Sequence, residues 1–235
     1  MIHNNAIALG LSLGLALSWL RINDYFAHRG WIEGPLSRKI IHIGTGPLFV
    51  LTWLLFDDAP SARYFAAVIP LLITLQFALV GLGIWRDPSA VKAMSRSGDR
   101  QEILRGPLYY GIAFVVLTVF YWKTSPVGMI ALMLLCGGDG LADIVGKRFP
   151  SAPLPWSSKK SWAGTVAMFL GGWAFSLLVL ECFLLAGVWT GSIFQYLPAI
   201  TVISLAGTLV ESLPVRDLDN LTVPFTAVLL GHFLL

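Results

Sequence analysis

Eight apolar runs separated by short charged breaks constrain this chain more than any other feature. They are Ala6 to Leu20, Ile40 to Phe56, Tyr64 to Trp85, Pro107 to Trp122, Val127 to Val145, Trp162 to Gly187, Ile193 to Leu213 and Leu221 to Leu235. A bilayer-crossing helix takes about 20 apolar residues, so eight spans use about 160 positions and leave roughly 75 for nine connecting or terminal segments. No independent soluble domain fits in that remainder, and any chemistry must sit in short loops or at helix ends. The reading is an all-α polytopic bundle of about eight transmembrane helices, one integral-membrane domain covering residues 1–235. Only 12% of residues are charged and 56% are hydrophobic, about half the charge of an ordinary soluble domain. The first run lacks a basic leader and an evident cleavage site, so a mature chain beginning near Met1 and a prokaryotic origin are expected. Cys136 and Cys182 lie in apolar runs and match no zinc pattern.

Charge gives the runs a direction. Of the 16 Lys and Arg residues, 14 fall in alternate connecting segments and 2 in the others. Basic loops stay in the cytoplasm, so both termini are expected outside. The excess of basic over acidic residues, 16 against 13, is too small for a nucleic-acid binder. With this topology the polar clusters collect at the cytoplasmic face: Arg38, Lys39 and His42; Arg100 to Gly106, with Arg105; Asp139 and Asp143; Lys147 and Arg148; Lys159, Lys160 and Ser161; Glu211; and Asp217, Asp219 and Asn220. A transporter should instead show polar residues at mid-depth.

Each cluster has a chemical and a bland reading. Asp139 and Asp143, four apart, share one helix face, where they could hold Mg²⁺ together with phosphate oxygens or simply pair with Lys147 and Arg148. Gly137, Gly138 and Gly140 suit backbone approach to a phosphate or, better, close helix packing. Lys159 and Lys160, followed by Ser161 at a helix start, make an anion site or a positive-inside anchor. Glu211 meets the unfavourable negative end of its helix dipole and calls for a cation or metal nearby. Asp219 and Asn220 suit metal binding or helix capping. Together, acids for Mg²⁺ and cations for phosphates in a membrane body suit phosphoryl or nucleotidyl transfer to a lipid. No nucleotide-binding loop of the Gly-x-x-x-x-Gly-Lys-Ser/Thr type and no protein-kinase motif set is present.

The stretch Leu135-Cys-Gly-Gly-Asp-Gly-Leu-Ala-Asp-Ile-Val-Gly-Lys-Arg-Phe149, followed by Pro155-Trp-Ser-Ser-Lys-Lys-Ser-Trp-Ala-Gly-Thr165, closely resembles the phytol kinase branch of the polyprenol kinase family, which includes dolichol kinase. Arg38-Lys-Ile-Ile-His42, Glu102 to Tyr110, Glu211-Ser-Leu-Pro214 and Asp219 to Pro224 support it, so the resemblance runs from about Arg38 to the C-terminus. It implies a multi-span kinase, in a prokaryotic inner or thylakoid-type membrane, that phosphorylates an isoprenoid alcohol at the cytoplasmic face. The donor is CTP, with UTP or ATP as alternatives, and Mg²⁺ is the cofactor. Phytol, geranylgeraniol and farnesol are the candidate substrates, and phytyl phosphate would feed tocopherol synthesis. The resemblance marks Asp139, Asp143, Lys159, Lys160, Glu211, Asp219 and Asn220, with Arg38, Lys39, His42 and Arg105 as a second tier. Mg²⁺ is expected on two or more of Asp139, Asp143, Glu211 and Asp219, and the nucleotide on Lys159, Lys160, Ser161, Lys39, Arg105 and Asn220. Asp139 or His42 would accept the alcohol proton. Leu218 stands where family members often have an acid, which displaces Asp217 from any metal role. The Lys-Lys-Ser-Trp stretch is also similar to CDP-diacylglycerol synthases, so a cytidylyltransferase acting on a lipid phosphate is the competing enzyme. A transporter is the alternative from another class.

Overall fold

The computed structural model describes residues 4–95, 97–214 and 218–235. Ten α-helices follow one another among these residues: α1 Asn5–His28, α2 Gly34–Thr52, α3 Ala62–Leu82, α4 Pro88–Met94, α5 Gly106–Phe120, α6 Pro126–Met133, α7 Asp139–Arg148, α8 Trp162–Leu185, α9 Ile193–Glu211 and α10 Asp219–Leu234. Six segments are long and apolar enough to cross a membrane: Asn5–His28, Ala62–Leu82, Arg100–Phe120, Pro126–Arg148, Trp162–Leu185 and Ile193–Glu211. The apolar stretch Lys39–Leu55, formed by most of α2 and the 3₁₀ turn Trp53–Leu55 after it, and the 16-residue α10 are shorter. The apolar helices fit a multi-pass membrane bundle.

The caps explain where several helices begin and end. Asn4 accepts from the Ala6 and Ile7 N–H groups, Ser125 from Val127, and Ser161 from Gly164, each satisfying donors that the first helical turn leaves open. Ser192 and Gln195 form a reciprocal capping box at α9. At its other end α3 stops on Gly83, whose φ of 79° is left-handed backbone.

The rod built from α6 and α7 is the hub of the bundle. Residues 127–138 are all buried, as expected for a helix apolar on every side. It is packed against α2, α5, α8, α9 and α10, whereas α1 and α3 lie at the periphery. Between its two halves, Leu134–Gly138 forms a π-helical turn in which the Asp139 N–H reaches the Leu134 carbonyl five residues back. Gly137 and Gly138 sit in this turn because α8 is so close: a Cβ there would come within 2.7 Å of the Phe175 ring and of the Met168 sulfur. The glycines therefore serve packing.

Two features depart from the reading of the sequence. The first helix runs eight residues beyond Leu20, to His28, because its polar Asn23 is buried and bonds back to the Trp19 carbonyl at 2.8 Å. The stretch after Trp85 is not a plain loop: it forms α4, capped by Asp87, and a 3₁₀ turn over Arg100–Leu104. The all-α bundle carries, besides its helices, a short antiparallel hairpin, β1 Pro153–Leu154 and β2 Ser157–Ser161, pairing Pro153 with Ser161 and Leu154 with Ser157. Strands this short carry little signal of their own, and this pair is held by its surroundings.

Candidate active site

The ends of α2, α5, α7, α9 and α10 that carry the polar clusters meet the β hairpin around one cavity of about 1360 Å³. Lys39 and His42 of α2, Arg105 and Tyr110 at α5, Asp139 and Asp143 of α7, Lys159, Lys160 and Ser161 of β2, Glu211 of α9, and Asp219 and Asn220 of α10 all line it. Asp217 lies outside the described residues, as does the side chain of Arg38.

Two groups of charges separate within this lining. In the first, Asp139, Glu211 and Asp219 each place a carboxylate oxygen within 4.8 Å of the others. Lys160 reaches into this group, paired with Glu211 and 3.7 Å from Asp219. Glu211 is only 4% exposed, and Lys160 is the cation that its position at the helix C-terminus requires. Burial works against the charge on Lys160, but Glu211, with Asp219 and Asp139, outweighs it and raises the Lys160 pKa above its usual range. The second group centres on Asp143, which pairs with Lys147 at 2.7 Å and with Lys39 at 3.4 Å. Asp139 and Asp143, one turn apart on the same helix, thus face different partners.

The hairpin explains how Lys160 gets there. Trp156, in its turn, donates its indole N–H to Ser212 Oγ at 3.1 Å, fastening the hairpin to the end of α9. The Trp162 N–H bonds the Ala152 carbonyl, and the Ala163 N–H bonds Ser151 Oγ. Lys160 therefore arrives on a strand braced at both ends, while Lys159 is exposed at the cavity mouth. Ser161 is occupied as the α8 cap. On the other side Asn220 donates to the Gly106 carbonyl at 3.2 Å, tying α10 to the start of α5.

His42 is placed by residues that sequence reasoning did not single out. Its Nε2 lies 3.6 Å from Asp139 Oδ2 and is a buried polar atom without a hydrogen bond among the described residues. The Tyr110 ring sits against the His42 ring, with centroids 4.5 Å apart, and its hydroxyl is held by Cys136 at 3.1 Å. An aromatic and a thiol inside apolar runs look like packing in a sequence, and nothing in their spacing separates them from it. Trp156 and Ser212 went unnoticed for a related reason: their bond joins positions 56 apart.

The chain is 42% identical over 221 residues to a protein of Triticum aestivum named probable phytol kinase, chloroplastic, covering 93% of this chain and 74% of that one. It is 39% identical to phytol kinase 1, chloroplastic, of Arabidopsis thaliana, over 95% of this chain and 73% of that protein. It is also 39% identical to the farnesol kinase, chloroplastic, of the same plant, over 98% of this chain and 76% of that protein. The chain belongs to the phytol and farnesol kinase family. Membership reaches beyond the stretch from Arg38, since the similarity to the farnesol kinase takes in nearly the whole chain. No family model and no solved structure matches.

Proposed function

We propose that this chain is a prenyl alcohol kinase, with phytol as its first substrate and CTP as its donor, UTP or ATP being the alternative donors. One observation carries the reading: Asp139, Glu211, Asp219, Lys160 and His42 converge where a polar mouth meets an apolar interior within a single cavity. A water-soluble triphosphate and a membrane alcohol need such a meeting place. The names of the family's plant members, phytol kinase and farnesol kinase, support the choice of substrate class.

Three converging carboxylates are a hard-oxygen donor set of the kind Mg²⁺ takes, so Asp139, Glu211 and Asp219 fit this ion, with Asp143 held apart by its lysines. When bound, Mg²⁺ would neutralise phosphate charge. Lys159 at the mouth and Lys160 deeper in would hold the triphosphate by charge, and Lys39, Arg105 and Asn220 would border it. The alcohol oxygen forms its new bond to the γ-phosphorus as the bond from that phosphorus to the β–γ bridging oxygen breaks, releasing a nucleoside diphosphate. The hydroxyl proton passes to His42 Nε2 or to Asp139, which lie together. A loose transition state asks more of positioning and charge than of the base. The reaction would run at the cytoplasmic face, where positive-inside orientation puts the basic loops, and deliver phytyl phosphate for tocopherol-type synthesis.

The test is purified protein in phospholipid vesicles with phytol, Mg²⁺ and labelled CTP. Phytyl phosphate and CDP are expected, with loss of both on chelation of the metal. Release of pyrophosphate with CMP left on a lipid would instead identify a cytidylyltransferase, and no turnover with any prenyl alcohol would remove the kinase reading.

A further inference from the structure

The cavity does not end at the charged cluster. Between α1, α2, α3 and α5 it continues as an apolar arm walled by Trp19, Phe49, Phe77 and Phe114. Three hydroxyls along it are spent on their own helices: Thr45 on the Ile41 carbonyl, Thr52 on Phe49 and Ser12 on Ala8, at 2.6, 2.6 and 2.8 Å. The arm thus offers carbon surface rather than free donors. Its outermost lining residues are Ser12 on α1, Thr52 on α2 and Ile69 on α3, all on the side away from the charged cluster. All three are buried.

Two dimensions follow. From His42 to Thr52 the backbone of α2 rises about 15 Å, at about 1.5 Å per residue. An isoprene unit, four carbon–carbon bonds along the chain of about 1.5 Å each in a zigzag, advances about 5 Å, so the arm takes roughly three units. The flank is open as well: Leu15 on α1 and Ile73 on α3 both line the arm, yet are 49% and 41% exposed. In a bilayer that opening faces acyl chains.

We propose that the apolar arm is the prenyl-chain channel, entered sideways from the bilayer between α1 and α3, and that Ser12 and Ile69 at its far end set the chain length accepted. This rests on the kinase reading above. An alcohol of three units lies wholly inside, with its hydroxyl beside His42 and Asp139. The last unit of a four-unit alcohol such as phytol reaches the far end and leaves through the flank, so filling the far end discriminates by length.

The experiment compares alcohols of two, three and four isoprene units with the wild-type protein and with Ser12→Leu and Ile69→Phe in vesicles. Each variant should lose at least about tenfold in kcat/KM for the four-unit alcohol and less than about twofold for the two-unit one, which also reports that the variant is folded. An equal loss at every length, or no loss at any, overturns the proposal. A second measurement needs no turnover: farnesol carrying a photoreactive diazirine at its tail should label peptides containing Ser12 or Ile69, and phytol should compete. Labelling elsewhere overturns the channel even if the protein is a kinase. Labelling at these peptides without phosphorylation of any alcohol removes the kinase reading and leaves the channel.

Discussion

Glu211 is buried against Lys160, and removing one partner of such a pair leaves a charge that burial penalises. Lys160→Met should therefore destabilise the protein by about 3–5 kcal/mol and abolish transfer. Adding Glu211→Gln should restore most of the stability and none of the activity, as read by thermal unfolding in detergent and by turnover. Failure of the double variant to regain stability would show that the pair is not what holds this end together. Because the folded-state pKa of Lys160 is raised, its contribution is complete below the unfolded value of about 10.4 and fades only as pH rises through the higher folded one. Thermal unfolding of the wild-type protein should accordingly lose this contribution only above about pH 10, as the Lys160 charge is lost. Asp139→Asn should lower turnover by at least about a hundredfold with membrane insertion unchanged. Asp143→Asn should cost far less, since Asp143 is engaged by Lys39 and Lys147. The sequence pointed to Glu211 through its conflict with the helix dipole, and to Asp139 and Asp143 through their spacing. It could not divide them, because which acid meets which lysine depends on a hairpin whose anchor lies more than 50 positions away.

Among the elements, the π turn at Leu134–Gly138 matters most. It adds a residue to a helix that would otherwise run straight from α6 into α7, and such turns gather at functional sites. Deleting Gly137 should restore plain helical pitch and disturb the placing of Asp139 beside Glu211 and Asp219. The expected result is unchanged helix content by circular dichroism and lost turnover. Retained activity would mean that the turn does not aim Asp139. A smaller effect belongs to the α8 cap, where Ser161→Ala should cost about 1 kcal/mol, readable in thermal unfolding. The apolar run from Val127 to Val145 announced a helix plainly, but the extra residue within it leaves no periodic trace, since every side of that rod is buried. Likewise the hairpin is too short to show alternation, and the polar run Ser157–Ser161 of its second strand reads as a loop.

Across the whole molecule, the charged groups and the cavity coincide, since basic and acidic side chains line one end of it and apolar ones the other. Single cysteines placed at Ser158 and at Asp58, in a background with Cys182 replaced, should react with an impermeant thiol reagent from opposite sides of the membrane, Ser158 from the nucleotide side. Reaction of both from one side would refute the arrangement of spans. Long apolar helices were legible because burial in lipid demands them, and six of the expected spans are long and apolar enough to cross a membrane. The meeting of distant segments was not legible, and it governs biogenesis. Asp139 comes from the middle of the chain, Lys160 soon after, Glu211 and Asp219 from near its end, and Asn220 is bonded to Gly106. A polypeptide emerging from the ribosome consequently has no assembled acid cluster until α10 has followed α9 into place, so an unfinished copy should neither spend nucleotide nor phosphorylate lipid.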